Sequence, residues 1–266
     1  MNISLPSILS SPHPVVVLAL GVLREAFKNR LARMLIVMML FGLAFALFIK
    51  QLAIAESAAI ETAFLAAIYR MGAVFLLAVF VITSQIREAN DKGLDLLLSL
   101  PLSRASIFAG KFLGYAGCAL ITAVLISLPL LLLVPPAQVV VWSISLALEL
   151  LIVTAASLFF VLALPHSMGS LLSVMGLYLL SRTMAALQLM GAASLVETSG
   201  WVRQISNGLL NAIALLLPRL DLFTQTAWLV NHTGSMANLS TLALQTLIYA
   251  ALLSGAALFD LYRKNY

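Results

Sequence analysis

Charge is scarce in this chain of 266 residues. Asp, Glu, Lys and Arg together make up 9%, whereas a soluble domain is expected to carry roughly a quarter. A soluble fold with a water-facing charged shell is thereby excluded. Cysteine is limited to Cys118, so no internal disulfide can form and a small packing residue is the plainest reading of that thiol. Metal-ligand patterns are missing as well. His13, His166 and His232 stand apart, without an H-E-x-x-H arrangement or a Cys or carboxylate at ligand spacing, so zinc and copper sites are unsupported. A phosphate-binding loop is also absent. "SIFAGKF", Ser106 to Phe112, lacks the first Gly and the Ser or Thr after the Lys, so ATP bound in that manner is excluded.

What is abundant is apolar surface: 62% hydrophobic residues and a mean hydropathy of +1.08. A helix crossing roughly 30 Å of hydrocarbon needs about 20 apolar residues. Six such runs lie near Leu35 to Gln51, Ala63 to Gln85, Ser106 to Val134, Val139 to Leu164, Ser167 to Leu187 and Leu239 to Phe259. They lack the alternation and aromatic girdles of a membrane barrel. The expected fold class is an all-α integral membrane protein, with residues 1–266 as one six-span domain and Met34, Met38 and Met39 as packing residues rather than a soft-metal path.

Basic residues set the expected orientation. With the N-terminus cytoplasmic, Arg24, Lys28, Arg30, Arg33, Arg87, Lys92, Arg104, Lys111, Arg263 and Lys264 fall inside. Lys50, Arg70, Arg182, Arg203 and Arg219 are left at or near the outer side. Both termini are then cytoplasmic. The net charge of +5 reads as topology and attraction to anionic lipid, with no call for nucleic acid. The first residues lack the basic region and cleavage site of a signal peptide, so the N-terminus is expected to remain attached.

Between Val15 and Arg33, Ala19, Val22, Leu23, Ala26 and Phe27 recur at helical spacing opposite Arg24, Glu25, Lys28 and Asn29. This predicts an amphipathic helix over 15–33 lying on the cytoplasmic face; the alternative is an inward extension of the first span. Residues 191–238 form an outer segment whose apolar run from Leu209 to Leu217 ends at Pro218 and is too short to cross. It is expected to dip into the outer leaflet or cap the bundle, the alternative being a seventh crossing.

Two charges interrupt the spans: Glu149 midway along the fourth and Arg182 towards the outer end of the fifth. Similar depths allow them to pair, or Glu149 to be protonated; a substrate or proton contact by Glu149 is the functional alternative. Gly110, Gly114 and Gly117 permit close helix approach, and Gly114 and Gly117 are equally compatible with ordinary membrane-helix glycines.

The charges that do exist gather in "SQIREANDKGLDLLLSLPLSRASIFAGKF", residues 84–112. Within 87–105, Leu94, Leu97 and Leu98 line one side while Glu88, Asp91, Lys92 and Asp95 mark another. This predicts a short amphipathic helix ended by Pro101, with Ser103 as N-cap of the next helix. A solvated connecting loop is the bland alternative.

This stretch resembles the cytoplasmic loop of ABC-2 type permeases, the membrane subunits of one class of ATP-driven transporters. The resemblance rests on Arg87, Glu88, Gly93, Leu97, Leu98, Ser99, Pro101, Ser103, Arg104, Gly110 and Lys111. It departs from the family at Leu94, Asp95 and Leu96, where Thr, a variable residue and an acidic residue are common. The resemblance implies a type V exporter-like bundle that forms a homodimer and pairs with two copies of a separate ATPase subunit. That subunit holds the ATP and Mg, and its groove receives the coupling helix at 88–99. Arg87, Glu88, Asp91, Gly93, Leu97, Leu98, Pro101, Ser103 and Arg104 are its expected coupling residues. The expected location is the inner, cytoplasmic membrane. The outer segment and "LPRLDLF" look most like the branch linked to maturation of multicopper enzymes such as nitrous-oxide reductase. Export of an amphipathic or lipid-like substrate and transmission of motion to a periplasmic partner both stay open. So does an ATPase-independent scaffold, whereas an intramembrane enzyme lacks the necessary residue sets.

Overall fold

The computed structural model describes residues 14–28, 30–52, 57–91, 103–164, 166–192 and 200–263. Among them the chain is all-helical, without a strand. The helices are α1 (Pro14–Lys28), α2 (Arg30–Leu52), α3 (Ser57–Asn90), α4 (Arg104–Ser127), α5 (Pro136–Ala163), α6 (Ser167–Ala192), α7 (Gly200–Leu216), the short α8 (Thr226–Val230) and α9 (Met236–Arg263). Six of these, α2 to α6 and α9, are long and apolar enough to cross a membrane, as a multi-pass membrane protein requires.

Burial orders the bundle. Over its most apolar stretch α5 is 61% buried, against 17% for α2 and for α9, so α5 is the central post and the other two are exposed on most of their circumference. α3 and α4 flank α5, and α9 packs along it. Local sequence explains where α5 begins and ends. Pro135 and Pro136 open it, where an absent N–H is harmless, and Leu164 is already extended (ψ 141°) because Pro165 follows. Its buried Thr154 and Ser157 donate back to the carbonyls of Leu150 and Val153, so they sit in an apolar core without unmet polarity.

α1 does not lie across the bundle face. It runs beside α4 in the same direction: Val15 and Leu18 meet Gly110, Ala19 and Val22 meet Gly114, and Leu23 meets Gly117. A Cβ at Gly110 would come within 2.8 Å of the Leu18 Cβ, and one at Gly114 within 2.7 Å of the Val22 Cβ. These glycines are therefore the groove that α1 occupies. Val22 and Ala26 are buried as the periodicity predicts, but Phe27 is 62% exposed and Glu25 turns inward. The chain continues into α2, so the pattern at 15–33 resolves into a helix ending at Lys28 and the start of the first span.

α3 runs on past Gln85 to Asn90, so Arg87 and Glu88 belong to its last turns rather than to a separate helix. No Gly or Pro precedes Gly93 to stop it, and the Asp91 N–H closes the final turn on the Arg87 carbonyl at 2.9 Å.

On the opposite side, Gly208–Leu216 and Leu220–Val230 are joined by a 69° bend at Leu217–Arg219, where Pro218 removes a helix donor. Leu220, Phe223 and Thr224 are fully buried among α3, α5 and α6; Asn211 meets Gln188 near the end of α6 and Gly234 meets Gln138 near the start of α5, so the limb enters and leaves at the same end of the bundle and is re-entrant.

Candidate functional site

Two buried polar clusters stand out, one midway along α5 and one nearer the ends of α3 and α4 that flank residues 92–102. The first surrounds the re-entrant segment. Its turn is helical only over the single 3-10 turn Leu220–Leu222, so the Phe223 and Thr224 carbonyls are left without helical partners, which membrane depth tolerates only if protein groups supply the donors. Arg182 on α6 supplies them: its Nη1 donates to the carbonyls of Leu220 and Phe223, the latter at 2.8 Å, and Nη2 reaches the Thr224 carbonyl at 3.5 Å. Arg70 on α3 donates to the same Thr224 carbonyl at 3.2 Å.

Glu149, fully buried on α5, offsets one of these two positive charges. Its Oε1 lies 3.6 Å from Arg182 and accepts from Tyr178 at 2.9 Å; Oε2 accepts from the Thr224 hydroxyl at 2.6 Å. One turn earlier, Ser145 accepts from the Thr224 N–H at 2.9 Å. Ser145 and Glu149 are an i, i+4 pair on α5, as are Tyr178 and Arg182 on α6, so two facing helix turns make a four-cornered socket for one residue. That residue is strained. Thr224 has φ 41°, a left-handed conformation that its branched Cβ disfavours, and it is held there by its N–H, carbonyl and hydroxyl together. The structure thus brings Glu149 and Arg182 together, and adds Tyr178, Thr224, Ser145 and Arg70. Arg70, expected with Arg182 at or near the outer side, reaches into the same site.

The second cluster lies where α3 ends and α4 begins, as an oriented chain of hydrogen bonds across three helices. Lys111 on α4 donates to Gln85 Oε1 at 3.4 Å, and Gln85 Nε2 donates to the Tyr115 hydroxyl at 3.0 Å. Tyr115 donates to Ser84 at 3.0 Å, and Ser84 to Glu25 on α1 at 2.8 Å. Lys111 is also ion-paired with Glu88 at 2.8 Å. Each donor points the same way, from the ammonium towards a carboxylate, so the dipoles reinforce one another. Phe80 covers Tyr115 edge-on, with ring centroids 5.9 Å apart.

The expected coupling residues are placed as follows. Glu88 faces Lys111, not open solvent, while Arg87 and Asp91 are exposed. Ser103 caps α4, accepting from the Ser106 N–H at 3.1 Å with ψ 144°. Arg104 donates to the Leu261 carbonyl at 2.8 Å and lies 5.9 Å from the Tyr262 ring centroid, so it closes the carbonyl end of α9, where a cation also complements the helix dipole. Gly93, Leu97, Leu98 and Pro101, and with them most of the expected helix at 88–99, lie outside the described residues.

Tyr178, Thr224 and Ser145 escaped the sequence reading because single hydroxyl residues in apolar helices carry no periodic signal. Their proximity to Glu149 arises only when the 220–224 turn is folded inward. Among the described residues, no group of three or more His, Cys, Asp or Glu is placed to hold a metal ion, and Cys118 is buried. Compared with protein-family models and with curated proteins, the chain matches neither a family model nor a curated protein.

Proposed function

We propose that this chain is the membrane-spanning permease subunit of an ABC-2 type transporter, a homodimer in the cytoplasmic membrane with both termini inside. Non-catalytic itself, it works with two copies of a separate ATPase subunit that holds ATP and Mg. The observation that carries this reading is the bracing of both flanks of residues 92–102. On one flank Glu88 is ion-paired to Lys111; on the other Ser103 caps α4 and Arg104 clamps the end of α9. A push on the segment between them is delivered to α3, α4 and α9 at once, and through Ser84 and Glu25 to α1. ATP-driven closure of the partner dimer moves this braced unit, and the two bundles change access at their shared interface. With so few polar groups along the spans, the exported substrate is amphipathic or lipid-like.

A second reading is favoured by the socket around Thr224. Because α3, α5 and α6 grip the re-entrant segment by its backbone, their motion is passed to the outer segment, as transmission to a periplasmic partner would require.

The test is recovery of the tagged chain from its membrane in mild detergent, followed by mass spectrometry. A P-loop ATPase in equal amount is expected, and Leu97→Asp should release it while leaving the thermal unfolding of the bundle unchanged. A periplasmic protein in the same eluate selects the second reading. Recovery of the bundle alone at several detergent strengths overturns both in favour of a scaffold.

A further inference from the structure

Two hollows between α2 and α3 share Met34 and Leu76 and so form one trough. Its upper part, about 760 Å³, is walled by Val37, Phe41 and Phe75 and edged by Arg33. Its lower part, about 410 Å³, reaches Thr83 and Arg87. Val37 and Phe41 are 65% and 62% exposed, so the trough opens sideways, where a bilayer would lie.

The two arginines converge on this trough. Met38 meets Gly72 and Gly42 meets Tyr69, so α2 and α3 are antiparallel; extending that register puts Arg33 level with Leu77. From there to Arg87 is ten residues, a rise of about 15 Å. Arg33 lines the upper hollow and Arg87 the lower, and the general tilt of helical side chains towards the N-terminus of their own helix lets each reach towards the level of the other. Both are exposed, and neither has a hydrogen-bond or ion-pair partner for its guanidinium among the described residues. Glu88, beside Arg87 in sequence, is committed to Lys111.

An unpaired guanidinium at the edge of hydrocarbon is costly unless it finds an anion. A second copy of the chain fits poorly, because a two-fold interface here would bring the same basic mouth against itself. We infer that the α2/α3 trough binds an anionic phospholipid of the adjoining leaflet. An acyl chain lies along Val37, Phe41 and Phe75, and the phosphate is bridged between Arg33 and Arg87. This goes beyond the permease assignment and does not depend on it; it requires only that the six apolar helices lie in a bilayer.

The test uses the full-length protein in nanodiscs containing equal phosphatidylglycerol and phosphatidylcholine, with bound lipid read by native mass spectrometry after gentle release. Two arginines at about 1 kcal/mol each correspond to an enrichment of about thirtyfold for phosphatidylglycerol. Arg33→Gln with Arg87→Gln should bring the ratio close to parity. Val37→Trp, which fills the trough and leaves both charges, should lower retention of either lipid. Arg24→Gln with Lys28→Gln, exposed charges on α1 outside the trough, should leave the ratio unchanged. An unchanged ratio in the first double variant overturns the inference, as does an equal loss in the α1 control, which would signify diffuse surface charge. Efficient disulfide cross-linking of Val37→Cys between copies, with no lipid retained, overturns it in favour of a protein interface.

Discussion

The socket around Thr224 and the chain around Tyr115 use similar residues for different ends. Around Thr224, one carboxylate and two guanidinium groups are spent on holding non-helical backbone inside the bundle. Around Tyr115, the bonds join side chains on three intact helices, and the cluster ends at a carboxylate, Glu88, that is still 28% exposed. The socket is closed, so loss of one member leaves the others buried and unmatched. The chain is open at one end, so water can replace a lost partner. The polar groups of the socket therefore fix the fold of the 217–230 limb, whereas those of the chain tie helices whose relative position can still change.

The largest effect is expected at Glu149. Glu149→Leu leaves Arg182 with an uncompensated charge and removes the acceptor for Tyr178 and Thr224. Breaking a buried pair from one side costs about 3–5 kcal/mol. Thermal unfolding in detergent should fall accordingly, and limited proteolysis should open first at 217–225. Glu149→Gln keeps an acceptor and should fall between wild type and the Leu variant. If Glu149→Gln leaves assembly and activity both unchanged, neither the structural nor the functional role assigned to this carboxylate stands.

A smaller loss is expected at Lys111, which would show that the two clusters differ. Lys111→Met strands Glu88, but at a site water can reach, so about 1–2 kcal/mol is expected, in the range of a single charged hydrogen bond. The same variant should uncouple ATP hydrolysis by the proposed partner from the membrane helices, raising futile turnover while the complex stays assembled. A stability loss equal to that of Glu149→Leu would erase the contrast between closed and open clusters.

Sequence reasoning reached these regions unevenly, and for physical reasons. Six apolar runs are legible because bilayer thickness imposes their length, and Glu149 and Arg182 because a charge within such a run is conspicuous. The Ser103 cap is legible because capping is local. The direction in which Glu88 faces is not: within a few residues of a helix end, the choice between solvent and a neighbour depends on Lys111, a residue of another helix. The glycines at 110, 114 and 117 announced close approach without naming α1 as the occupant. Thr224 was least visible, since a threonine between two helices carries no sign that four side chains from three helices will converge on it.

Thr224 also offers the smallest and most discriminating test. If its left-handed backbone is imposed by the socket, the side chain contributes a bond to Glu149 and a steric cost at the same time. Thr224→Ala and Thr224→Gly both delete the hydroxyl, so both lose the bond. Only the glycine variant also removes the Cβ that a positive φ disfavours, a relief of about 1 kcal/mol. Thr224→Gly should therefore unfold at a higher temperature than Thr224→Ala, although glycine is elsewhere the less stable choice because it loses more backbone entropy on folding. The opposite order would mean that the turn relaxes once the hydroxyl is gone, and that the socket selects its backbone shape through the Glu149 bond alone.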